Sequence, residues 1–95
     1  MTVREFLKKG AEILGVSLSE LAGRGRSKPV LRAREILAVT GVELYHLRVK
    51  DIAEEVRKHP VTASTWVMRG RRLRQQNSQV KKKIRALDLA LIERS

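Results

Sequence analysis

The chain contains no cysteine, which removes both a disulfide framework and a thiolate metal site. Its aromatic residues are Phe6, Tyr45 and Trp66 alone, too few for the stacking platforms that bind single strands. Aliphatic side chains must therefore build the core. Proline is confined to Pro29 and Pro60, so long stretches are free to be helical. No apolar run approaches membrane-spanning length, and the N-terminus lacks the apolar centre of a signal peptide. These absences point away from the membrane and toward a reducing cytoplasm. Acidic residues are also scarce: 10 against 21 Lys and Arg, a net charge of +11 on 95 residues.

The surplus is unevenly placed. Residues 1 to 23 hold three basic and three acidic side chains, so all of it lies downstream. Arg24 to Arg34 and Arg57 to Arg85 contain no Asp or Glu, and ten Lys or Arg fall between Val56 and Leu87. A uniformly basic coat would read as a solubility device. Acid-free segments read as contact surfaces for a polyanion.

What is present is helical periodicity. Thr2 can cap a helix carrying Phe6, Leu7, Ala11, Ile13 and Leu14, with Gly15 as its stop. Ser17-Leu18-Ser19-Glu20 spells a capping box that opens a short helix through Ala22. Residues 23 to 28 form a basic loop, and Pro29 suits the first turn of a helix with Val30, Ala33, Leu37 and Leu44 on one face, interrupted near Gly41. Val49–Val56 forms a further helix burying Val49, Ile52, Ala53 and Val56. His59 is placed to cap a helix begun by Pro60, and Ser78 to cap a last one with Val80, Ile84, Leu87 and Leu91. No alternating run suggests a strand. The expected fold is all-α, five or six helices in one domain, with residues 1–22 a short helical pair packed on residues 23–95.

Within this pattern, residues 49–72 have the form of a helix-turn-helix: a short amphipathic helix, a tight turn, then a helix with small polar residues first and arginines behind. Winding residues 61 to 72 at 100° per residue turns Ala63, Trp66 and Val67 inward and Val61, Thr65, Met68 and Arg72 outward. Thr62, Ser64, Thr65 and Met68 are candidates to meet base edges and thymine methyls. Arg69, Arg71, Arg72 and Lys58 are candidates for phosphates. The expected recognition helix spans about 60–74 and the loop arm 24–28. Counting six groove or phosphate contacts gives an expected slope of log affinity against log salt of about −4 to −5.

Residues 11 to 36 are more specific than a generic helix-turn-helix. Ala11-Glu12, Gly15-Val16-Ser17, Glu20-Leu21 and then Arg26 through Ile36, followed by Glu43-Leu44 and Asp51-Ile52-Ala53, resemble the C-terminal DNA-binding domain of the bacterial replication initiator DnaA. The variant with Arg32-Ala33-Arg34 is similar to the tail of REP-associated tyrosine transposases. The resemblance implies that Arg26 enters a minor groove, and that Arg32, Arg34 and Lys50 lie at the DNA backbone. The chain departs from the initiator in its turn, Lys58-His59-Pro60-Val61-Thr62, which has neither the initiator's Arg-Asp-His-Thr-Thr nor a glycine. It also lacks a phosphate-binding G-x-x-x-x-G-K-[ST] loop.

Catalysis is not indicated. His46 and His59 are separated, and Tyr45 and His46 point about 100° apart on a helix. No metal-spaced cluster, paired carboxylates or nucleophile–base set occurs, so neither a cofactor nor a metal is expected. The expected partner is double-stranded DNA bound by a monomer associated with the nucleoid, with any catalytic transposase or replication function on another domain or chain. Two alternatives use the same residues: structured RNA as the ligand, or a protein-interaction module dimerising through Val80, Ile84, Leu87, Leu91, Leu89 and Ile92.

Overall fold

The computed structural model describes residues 1–94, so the expected 23–95 boundary ends on a residue outside them. Six helices follow one another: α1 (Val3–Ile13), α2 (Leu18–Ala22), α3 (Lys28–Leu44), α4 (Val49–Glu55), α5 (Pro60–Gln76) and α6 (Ser78–Arg94). No strand occurs among the described residues, as the periodicity requires.

The helix starts follow from capping chemistry. Thr2 Oγ1 accepts from the Glu5 N–H, and Ser17 and Glu20 close a complete capping box. His59 Nδ1 accepts from the Val61 N–H at 3.1 Å ahead of Pro60. At α6 the expectation shifts by one residue. Asn77, not Ser78, supplies the cap, its Oδ1 accepting from Gln79 N–H at 2.9 Å. Asparagine ranks with serine at this position, and here its carbonyl has the geometry.

Two helices end on the same motif with different residues. At α1, Gly15 takes a left-handed φ of 80° and the Val16 N–H reaches back to Ala11 O. At α4, Arg57 takes φ 54° and the Lys58 N–H reaches Ala53 O at 2.9 Å. Arg57 thus fills the site a glycine normally occupies in a turn of this kind. That is the turn between α4 and α5, where the sequence has no glycine.

Helix α3 is the axis of the molecule: every other helix packs against it. Its buried residues, Val30, Ala33, Arg34, Ile36, Leu37, Ala38, Val39, Thr40 and Gly41, run around most of its circumference. A single apolar face was too narrow an expectation, and Leu44, placed on that face, is 47% exposed. Gly41 does not interrupt the helix. A Cβ there would stand 3.0 Å from the Phe6 ring and 3.3 Å from Ile52, so the glycine admits α1 and α4 to close packing. The N-terminal pair shares this core through Phe6, Leu7, Ala11 and Leu21. Val80, Ile84, Leu87 and Leu91 of α6 face the same core.

Candidate nucleic-acid interface

Helix α5 is held by its inner side. Ala63, Trp66, Val67 and Gly70 are buried against α3 and α4. Gly70 marks the closest approach: a Cβ would lie 2.5 Å from the Glu35 carbonyl and 2.8 Å from Val39. This leaves the opposite side of the first turns in solvent. Val61 is 66% and Met68 58% exposed, and Thr62, Ser64, Arg69, Arg71 and Arg72 are exposed beside them. Both apolar side chains are thus available for contact with another surface.

Thr65 lies on the same angular sector but is only partly exposed, because its hydroxyl turns back and donates to Val61 O at 3.0 Å. The proton is committed to the helix, and the hydroxyl oxygen is left only as an acceptor. Thr62 and Ser64 keep both functions.

The basic loop between α2 and α3 exposes Arg24 and Arg26, and Lys28, the first residue of α3, is exposed after them. The loop is tied at its base by two cations that converge on one carbonyl. Arg34 Nη2 donates to Gly23 O at 2.7 Å and to Glu20 O at 3.2 Å, its Nε donates to Leu21 O at 3.1 Å, and Lys58 Nζ donates to Gly23 O at 2.9 Å. The Arg34 guanidinium also lies 5.7 Å from the centroid of Trp66, within cation–π range. Burial, and then the charge of Arg26, lowers its pKa from the ordinary arginine value.

Arg34 is therefore not a surface contact. It is 7% exposed and acts as a clamp joining the α2 end, the loop base and α5. Lys58 is half-buried in the same knot. Arg32, half-exposed, instead lines a cleft of about 250 Å³ with Lys28 and Lys83 over Leu14, Pro29, Ala33 and Ile36. Lys50 is exposed on the first turn of α4.

The segments are acid-free in sequence but not in space. Helix α3 presents Glu35 and Glu43 to α5. Burial raises the Glu35 carboxyl above the ordinary range, while the charges of Arg69 and Arg32 pull it back down. Glu43 pairs with Arg71 and with Arg74. Sequence reasoning missed this acid, because 28 residues separate Glu43 from Arg71 and no local pattern links them. Lys83 reaches the cleft through the packing of α6.

Among the described residues no group of three His, Asp or Glu could hold a metal ion, and no helix is long and apolar enough to cross a membrane. No protein-family model and no curated protein matches the chain.

Proposed function

We propose that this domain binds double-stranded DNA with sequence preference, laying the first turns of α5 in the major groove and the loop of residues 24–28 along the neighbouring backbone or minor groove. One observation carries this: the exposed start of α5 offers groups, Val61, Thr62, Ser64 and Met68, that can touch base edges, Arg69 and Arg72 follow exposed on the same helix, and further exposed cations stand on the loop of residues 24–28 and on α4. Helix α4 and the His59 cap fix the angle at which α5 leaves the turn, which is what a helix-turn-helix requires. The likeness to the initiator and transposase-tail domains, on the residues quoted above, favours the same ligand and a role as targeting module for another domain or chain. A dimerising module would rest on Leu89 and Ile92 of α6, 56% and 60% exposed, because Val80, Ile84, Leu87 and Leu91 are occupied by the core.

Of the basic residues expected to touch DNA, Arg34 is buried, Lys58 engaged and Arg71 paired, which leaves Arg26, Arg32, Lys50, Arg69 and Arg72. The expected salt slope is then about −3 to −4, shallower than the count of basic residues suggests. The test is selection of a preferred duplex from a random pool, then titration of that site and a scrambled one at several salt concentrations. Thr62→Ala and Ser64→Ala should each weaken the preferred site by about 1–3 kcal/mol and the scrambled site little. A slope near zero, or equal losses on both duplexes, would overturn the proposal.

A further inference from the structure

The arginines of α5 do not share one environment. Arg69 and Arg72 are exposed, whereas Arg71 and Arg74 converge on a single carboxylate. Arg71 Nε donates to Glu43 Oε2, and Arg74 Nη1 pairs with Oε1. Each oxygen holds one guanidinium, as two oxygens of a phosphate would. The Glu43 side chain is 23% exposed against 50% for Arg71 and 31% for Arg74, so the acid is seated at the α3–α5 seam and the arginines reach back to it. Burial alone would raise its carboxyl, but the hydrogen bonds and charges of the two arginines outweigh that and hold it below the ordinary carboxylate range.

We infer that Glu43 is a built-in phosphate mimic that sets where the DNA-contacting surface of α5 ends, withholding Arg71 and Arg74 from the backbone. The inference rests on the duplex binding proposed above. Counterion release counts only cations that become available to phosphate. A phosphate approaching Arg71 must displace Glu43 and then sit beside its negative charge. The attraction that holds any duplex is thereby reduced, while the base contacts at Val61 to Met68 are untouched. Glu43 is a specificity-determining residue that touches no DNA.

The test is a salt titration of the full chain on preferred and random duplex, for wild type, Glu43→Gln, Arg71→Ala and the double variant. Glu93→Gln, an equal charge change on exposed α6, serves as control. Glu43→Gln should steepen the slope by about one to two units and tighten random duplex at least as much as the preferred site. Arg71→Ala should leave the wild-type slope unmoved yet take back about one unit in the Gln background. An Arg71→Ala variant that flattens the wild-type slope, or a Glu43→Gln effect no larger than that of Glu93→Gln, overturns the inference. Should Glu43→Gln fail to fold, Arg71→Ala combined with Arg74→Ala decides: an unmoved slope supports the clamp, and a loss of about two units overturns it. A wild type with no salt-dependent binding overturns the underlying function as well, whereas salt-dependent binding whose slope Glu43→Gln leaves unmoved overturns the role of Glu43 alone.

Discussion

Arg32 and Arg34 show how far a two-residue spacing can mislead on a helix. Positions two apart differ by about 200°, so one element cannot turn both toward the same phosphate. Arg32 stays at a cleft, and Arg34 turns inward to three carbonyls and Trp66. The carbonyls at the end of α2 carry the negative end of its peptide dipoles, which offsets part of the cost of a guanidinium buried without a carboxylate. Lysine keeps the charge but not the planar fork that spans several acceptors. Arg34→Lys should therefore destabilise the fold by about 1.5–3 kcal/mol in urea unfolding. On the duplex binding proposed above, the salt slope of the folded variant should be unchanged, because Arg34 is buried and offers no phosphate contact. A shallower slope would return Arg34 to the interface.

At the scale of elements, the position of α5 depends on one missing side chain. Alanine is the better helix former by about 1 kcal/mol, so an isolated helix would gain from Gly70→Ala. In this fold the added methyl meets the Glu35 carbonyl and Val39 across the α3–α5 contact. Backbone cannot step aside as a flexible side chain end can. The helices must separate, and the expected net result is a loss of about 1–3 kcal/mol. Circular dichroism melts of the variant against wild type check this, since propensity alone would raise the melting temperature and the α3–α5 clash lower it. A Gly70→Ala variant more stable than wild type would show that the α3–α5 contact has room for the methyl.

Across the whole molecule, the C-terminal end of α3 is joined to α6 by Tyr45, whose hydroxyl donates to Asp88 Oδ1 at 2.9 Å while its ring lies 5.0 Å from Phe6 of α1. Burial, then the Asp88 hydrogen bond and charge, push the Tyr45 pKa up to about 12 from an ordinary value of 10.0. The folded state thus favours the protonated phenol. Its contribution to stability is fully present below pH 10 and is lost as pH rises through about 12. The stability difference between wild type and Tyr45→Phe should be flat up to pH 10 and shrink between there and pH 12. A difference that stays constant across that range would mean the phenol is not held by Asp88.

The sequence by itself determined the elements and the outward start of α5. Caps, prolines and 3.6-residue periodicity are local, so Thr2, the Ser17–Glu20 box, His59-Pro60 and the buried residues of α4 and α6 were legible without a partner in view. The inner side of α5 was legible for the same reason, since Ala63, Trp66 and Val67 recur at helical spacing. Only the tertiary structure decided which cations are available. The charge pattern along the chain holds no acid from Arg57 to Arg85, yet folding sets Glu43 against Arg71 and Arg74 and draws Arg34 and Lys58 onto Gly23. Electrostatic partners are chosen by distance in space, and the distances between helices are fixed by core packing around α3 rather than by the residues that carry the charge.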